Sequence, residues 1–300
     1  MAETIQKNAP DLSYQIFIDA TTDICEEMLE GIPHVEIIPM QVQVGEEEYL
    51  FGPGGNLTAE EFYAMQRSGK FASTSQINPE VYRSCFEPVL KEGKDIVYLC
   101  FTSGMSGTIN TANLVMKALR EEYPQRKLAC IDTLCASIGL GLLMREAALR
   151  QKKGMSFEEL VEWVEKNKLL VCHWFTVDTF EHLRRGGRVS AASAAMGTVL
   201  NIKPLLRVDE AGTLKVMEKP RGRSRSIRSQ LKKMEEGWQP GLGKLVVIGH
   251  GGCPEDAKRL EESVREKYPD TEIFTAYIGP VIGAHTGPGM LALVYWGNNR

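Results

Sequence analysis

The apolar periodicity predicts an α/β chain of two domains: an N-terminal parallel-sheet α/β domain over 14–168, and a C-terminal α+β domain with a mixed or antiparallel sheet over 169–300. Three observations predict it. Short apolar runs alternate with amphipathic helical stretches up to about residue 168, the rhythm of βα units. After residue 169 that rhythm gives way to hairpin signals mixed with helices. The 300 residues, 43% of them hydrophobic, are enough for two cores. No linker, internal repeat or low-complexity tract marks the boundary, which rests on the change of pattern.

In order, residues 1–13 are a polar lead-in and 14–19 a first strand ending in Asp19. An acid there either reaches into a cleft or caps the next helix. Residues 35–44 alternate as a strand, and 51–56 are a Gly/Pro loop. Thr58 and Glu61 form a capping box that opens a helix ending at Gly69. The hydroxyl-rich stretch 71–76 is a loop, and Asn78-Pro79 caps a helix running to Gly93. Residues 95–101 are a buried strand. They break into Thr102-Ser-Gly-Met-Ser-Gly-Thr108 and resume as a helix over 108–122. A strand follows at 128–132, an apolar helix at 137–151 and a helix opened by the Ser156/Glu159 capping box. The second half reads as a strand at 170–177, a short helix at 180–187 and an Ala-rich stretch at 190–197. A hairpin at 202–208 and 214–219 leads to a basic helix at 223–236. A strand at 245–249 precedes a helix begun by Pro254, and strands at 273–278 and 291–296 flank a Gly/Pro/His loop.

The 35 Lys and Arg against 39 Asp and Glu give a net charge of -4, which makes no electrostatic case for nucleic acid or an anionic membrane surface. No apolar run approaches a membrane span, and the N-terminus lacks the apolar region of a signal peptide. Seven cysteines with no Cys-x-x-Cys read as buried free thiols of a cytoplasmic protein. No His, Cys or Asp cluster has metal-ligand spacing.

Four loops carry possible chemistry: Ser73-Thr-Ser-Gln76, Thr102 to Thr108, Arg185-Gly-Gly-Arg-Val-Ser190 and Gly283-Ala-His-Thr-Gly-Pro-Gly289. The strand-to-helix turn at 102–108 offers helix-start amides and the hydroxyls of Thr102, Ser103, Ser106 and Thr108. It is equally read as an anion site or as a well-capped turn. It lacks the Lys of a P-loop, and its second Gly falls one place early for a nucleophile elbow. His285 stands on a constrained loop, whereas His34, His173, His182 and His250 read as structural or surface residues.

Taken together, these loops resemble the DegV family of bacterial fatty-acid-binding proteins. The resemblance runs from Phe17-Ile-Asp-Ala-Thr-Thr-Asp-Ile24 through Thr74-Ser-Gln76, Thr102 to Thr108, Gly186-Gly-Arg-Val-Ser190, Ile202-Lys-Pro204 and Lys219-Pro-Arg-Gly-Arg223 to His285-Thr-Gly-Pro-Gly289. Ala20, Ile77 and Thr102 depart from the usual residues.

The resemblance implies a long-chain fatty acid held between the two domains, with no other cofactor, metal or catalytic residue. It implies that Thr74 and Ser106 hold the carboxylate, with His285 at the same end. It further implies a kinase partner, the fatty acid kinase catalytic subunit, that phosphorylates the bound carboxyl, with Arg221 and Arg223 as solvent-facing docking residues. Two other readings of the same residues stand beside it: a serine hydrolase or acyltransferase using Ser106 and His285, and a phosphate- or sugar-binding module at the same helix start.

Overall fold

A computed structural model describes residues 12–189 and 201–300 of the chain. The lead-in before residue 12 and the whole of the Ala-rich stretch at 190–197 lie outside the described residues.

The N-terminal half is built on a parallel sheet. Strands β1 (Tyr14–Asp19), β2 (Glu36–Ile38), β6 (Asp95–Cys100) and β7 (Leu128–Asp132) pair in the order β2-β1-β6-β7. Alternation assigns the two faces. Ile16, Ile18, Val97 and Leu99 enter one core, and Phe17, Ile96, Tyr98 and Cys100 enter the other. Both faces are covered, which explains the unbroken apolar run of β6. Helices α3 (Pro79–Lys91) and α4 (Thr108–Glu122) supply the second core. Asn78 caps α3 by accepting from the Val81 amide at 2.9 Å.

Sequence periodicity joined 35–44 into one strand, but the chain divides it at Pro39. Residues before it pair in the parallel sheet, and residues after it form β3 (Met40–Val44) in a separate antiparallel sheet with β4 (Glu47–Phe51) and β5 (Ala72–Thr74). Proline has no amide to donate, so a strand changes sheets there at low cost. The stretch read as a loop at 71–76 is therefore partly strand, and Thr74 stands at its end. The short helix α1 (Glu26–Leu29) precedes β2, and α2 (Ala59–Arg67) carries the expected Thr58/Glu61 capping box.

The C-terminal half is a six-stranded mixed sheet in the order β10-β9-β8-β13-β11-β12. Its strands are β8 (Val171–Thr176), β9 (Leu205–Val208), β10 (Leu214–Glu218), β11 (Leu245–His250), β12 (Glu272–Tyr277) and β13 (Leu291–Trp296). Only β11 and β12 pair in parallel. Helices α8 (Arg223–Gly237) and α9 (Pro254–Lys267) cover one face.

Helix α5 (Ser137–Lys152) covers the other face. Its first two turns, Ser137 to Met144, are buried on every side because protein surrounds them. By sequence it belongs to the first half, yet it packs on β8, β11 and β13 of the second sheet and shares a core with β1 and β6. Helix α6 (Phe157–Asn167) packs beside it, and the short α7 (Glu181–Arg185) follows β8.

The segment between β12 and β13, expected as a loop, contains helix α10 (Pro280–Thr286), with Pro280 in its first turn. Helix α10 lies against α2, β3 and β5, so it joins the second half to the small antiparallel sheet. Gln66 Nε2 donates to the Gly283 carbonyl at 3.2 Å, and the Gly279 amide donates to Asp23 Oδ1 at 2.7 Å.

A second expectation fails in this half. Arg223 does not face solvent. Its side chain is 16% exposed and pairs with Asp256 at 2.8 Å and with Asp178 at 3.8 Å. The turn at Gly222, φ +83°, feeds straight into α8 and directs Arg223 toward the start of α9. Arg221 is exposed.

Candidate functional site

Between the halves lies a partly open cavity of about 120 Å³. Its walls are mostly apolar: Phe101 after β6, Ile138 of α5, Phe175 of β8, Val208 of β9, Ile282 of α10 and Val294 of β13 all contribute. Its polar lining includes a cluster of Thr74, Ser106, Arg188 and His285: Thr74 bonds His285, His285 lies against Gly186, and Arg188 bonds the carbonyl of Met105 next to Ser106.

Each polar side chain reaches that cluster from a different element. Thr74 ends β5, and its Oγ1 lies 2.8 Å from His285 Nε2. His285 is carried by α10. Burial, then the charges of Arg188 and His182, push its pKa down to about 4. The ring is therefore neutral at neutral pH. Its Nδ1 has no hydrogen-bond partner among the described residues and lies against Gly186, where a methyl group would overlap it. If Nε2 carries the ring proton it donates to Thr74, which leaves the threonine hydroxyl proton for a ligand.

Ser106 lines the cavity from the turn before α4, where its Oγ accepts from the Thr108 amide at 3.2 Å. Its neighbours are otherwise engaged. Thr102 donates to the Gly212 carbonyl at 3.0 Å and accepts from the Gly104 amide at 3.1 Å. Thr108 is bonded to Tyr82 at 2.9 Å. The amides of Ser103, Gly104, Met105, Ser106 and Thr108 are all bonded within the protein. The expected cradle of outward amides is thus largely closed, and the Ser106 hydroxyl is what this turn offers the cavity.

Arg188 was visible only as part of the Arg-Gly-Gly-Arg loop and was not chosen from sequence. It is half-buried, its Nε donates to the Met105 carbonyl at 3.2 Å, and it also bonds the Gly186 carbonyl. Among the described residues no carboxylate pairs with it. A guanidinium held by carbonyls at the mouth of an apolar cavity favours an anion there.

The other histidines differ. His173 lies in the wall with both ring nitrogens engaged, by the Val171 carbonyl at 2.9 Å and the Ala136 amide at 3.3 Å. His182 packs beneath Gly287 and beside Phe71, His250 is buried against Tyr277, and His34 is exposed.

The hydrolase reading is poorly served by this geometry. His285 is bonded to Thr74, and no carboxylate orients it among the described residues. Among the described residues no group of His, Cys, Asp and Glu could hold a metal, and no helix is long and apolar enough to cross a membrane.

Fold and site together define a two-halved α/β protein that encloses an apolar cavity with a polar, anion-favouring mouth. The chain belongs to the DegV family: the family model described as "Uncharacterised protein, DegV family" matches residues 13–298. It is 38% identical over 287 residues to the DegV domain-containing protein CPE0026 of Clostridium perfringens, covering 96% of this chain and 98% of that one. Among solved structures it is similar to DegV of Bacillus subtilis, described as a fatty acid binding protein, at TM-score 0.81 and 28% identity over 96% of this chain and 100% of that one. A DegV family protein of Thermus thermophilus, described for its fatty acid binding, matches at TM-score 0.83 and 26% identity over 95% and 100% of the two chains. The fatty acid kinase (Fak) B3 protein of Streptococcus pneumoniae, loaded with linoleic acid, shares the fold at TM-score 0.84 and 22% identity over 95% of this chain and 100% of that one.

Proposed function

We propose that this protein binds a long-chain fatty acid, with the carboxylate at Thr74, Ser106, His285 and Arg188 and the acyl chain in the apolar cavity. The observation that carries the reading is the Thr74–His285 pair at 2.8 Å with Arg188 beside it, lining a mostly apolar cavity. Two relatives of the same fold are described as binding fatty acids, which supports it. Each buried methylene is worth about 0.8 kcal/mol, so a long tail supplies on the order of 10 kcal/mol before ordering costs. The tail therefore sets affinity, and the polar end sets orientation and the preference for an acid.

The finer reading is a carrier without catalysis of its own that presents its acid to a fatty acid kinase in the cytoplasm. Exposed Ser73, Ser75 and Gln76 flank the Thr74 end, so the head-group end faces the surface. The seven cysteines are all unpaired, as suits a reducing compartment. Arg221 is the exposed member of the docking pair.

Native mass spectrometry of the protein purified from cells should show retained acyl chains. Replacing Thr74 and Ser106 together with Ala should weaken fatty-acid binding by roughly 1–3 kcal/mol for each lost donor. Unchanged affinity in a folded double variant would reject the assignment.

A further inference from the structure

Two further hydroxyls, which the head-group site does not use, line the cavity. Ser137 and Thr21 both line the wall, and both are almost fully buried. A buried carboxylate stands behind each. Ser137 Oγ donates to Asp23 Oδ2 at 2.5 Å, and Thr21 Oγ1 donates to Asp19 Oδ1 at 2.5 Å. Asp19 is further satisfied by the Thr21 amide at 2.9 Å and by Tyr98. Asp23 is further satisfied by the Gly279 amide at 2.7 Å.

The backbone marks Ser137 as the more unusual of the two. It sits at φ +54°, the left-handed region that Gly or Asn enters at less cost than other residues. There the hydroxyl bonds Asp23 and lines the cavity, so the strained backbone holds it between the carboxylate and the cavity. Asp23 alone does not require the strain, since a carboxylate in this position could be satisfied by backbone amides.

Position along the cavity follows from α10. Gly279, bonded to Asp23, precedes the helix, and His285 lies six residues on at the mouth. At 1.5 Å per residue these points are about 9 Å apart. An acyl chain that starts at His285 and runs back along α10 reaches the Asp23–Ser137 pair after about that distance, short of its methyl end.

We propose that Ser137, backed by Asp23, is a second polar station that recognises a hydroxyl group carried near the middle of a long acyl chain, an inference that rests on the fatty-acid reading. With Asp23 ionised, Ser137 donates to the carboxylate and accepts from the ligand hydroxyl. With Asp23 protonated, the carboxyl donates to Ser137, which donates to the ligand oxygen. A hydroxyl satisfies both arrangements because it is donor and acceptor at once, whereas a keto oxygen satisfies only the second. The relay of ligand, serine and carboxyl strengthens each bond in it. An unsubstituted chain leaves the serine oxygen facing methylenes.

The test displaces a fluorescent fatty acid with octadecanoic acid and with octadecanoic acids hydroxylated beside the carboxylate, at mid-chain or at the methyl end. The proteins are the wild type and Ser137→Gly, which is unstrained at φ +54° and lacks the hydroxyl. The mid-chain isomer should gain about five- to tenfold over octadecanoic acid in the wild type relative to the same ratio in Ser137→Gly. In the wild type alone it should also outrank the two end-hydroxylated isomers. Equal ratios in both proteins, or no positional preference in the wild type, overturn the inference while leaving fatty-acid binding intact. If no acid displaces the probe, the fatty-acid reading falls and this inference falls with it.

Discussion

Lowering the pH should destabilise the protein through His285, and the loss can be separated from the rest. Burial and the charges of Arg188 and His182 hold this ring at about 4 instead of the usual 6.5. The unfolded chain takes up the proton below about 6.5, while the folded chain takes it up only below about 4. Stability from the neutral ring is therefore complete above 6.5, falls as the pH drops toward 4 and levels off below that. At roughly 1.4 kcal/mol per pH unit the loss is about 3 kcal/mol, an upper limit because the ring is not wholly buried. His173, His182 and His250 are also lowered by burial and add losses of the same sign. The comparison that isolates His285 is His285→Gln, whose amide can still meet the Thr74 hydroxyl but does not titrate. Urea unfolding followed by tryptophan fluorescence across this range should show the wild type losing up to about 3 kcal/mol more than the variant. Parallel losses in the two proteins would refute the placement of a neutral, desolvated His285 at the cavity mouth.

Asp23 should act in the opposite direction. Burial outweighs its bonds from Ser137 and Gly279 and raises its carboxyl to about 7 from 3.8, so its stability contribution is present below about 4 and lost as the pH rises through about 7. Asp23→Asn should flatten that slope and make the protein more stable than wild type at alkaline pH, as read by thermal unfolding across the range; an unchanged slope would count against the buried acid. Arg223→Ala should cost about 2 kcal/mol because it removes the nearest cation from Asp256, which keeps only Arg259 at 3.5 Å among the described residues, and one of the two cations at Asp178, which keeps Lys203 at 2.8 Å; Arg221→Ala should leave the melting temperature unchanged and lower acyl-phosphate formation with a cognate kinase, most clearly at low salt and limiting carrier concentration. Equal melting temperatures for the two variants would contradict the contrast drawn between these arginines. The protein alone should show neither burst nor turnover with p-nitrophenyl acyl esters, since Ser106 Oγ accepts from a backbone amide and His285 is bonded to Thr74; a Ser106-dependent burst would revive the hydrolase reading.

Most regular elements were legible because their causes are local. Capping boxes at Thr58/Glu61 and Ser156/Glu159, the Asn78-Pro79 helix start and the apolar runs of β1, β6 and β13 all lie within a few residues of the structure they specify. What was hidden depends on distant partners. Arg223 reads as one more cation on a basic helix until Asp178 and Asp256 arrive from elsewhere in the chain. Helix α10 reads as a loop because it is short and rich in small residues, and it is held by packing against α2, β3 and β5. Asp23 gains its surroundings from Ser137, 114 residues on, and from Gly279, 256 residues on.

The turn at 102–108 shows why a site can be seen in a sequence before its working atoms can. Its hydroxyls look interchangeable on the page, and each could cap a helix or meet a ligand. The partner decides which. Thr102 meets the carbonyl of Gly212, brought in by the β9–β10 hairpin 110 residues later, and Gly104 lies so close to that turn that a methyl group on it would come within 2.6 Å of the Gly212 oxygen. Thr108 is taken by Tyr82 of α3. Ser106 lines the cavity, and among the described residues its Oγ binds only the local Thr108 amide, an acceptor role that leaves the hydroxyl proton available to a ligand. Thr74 is selected the same way, by a histidine 211 residues away. The sequence pattern identifies a set of loops, and the tertiary hydrogen bonds remove members of that set until the groups left are those facing the cavity.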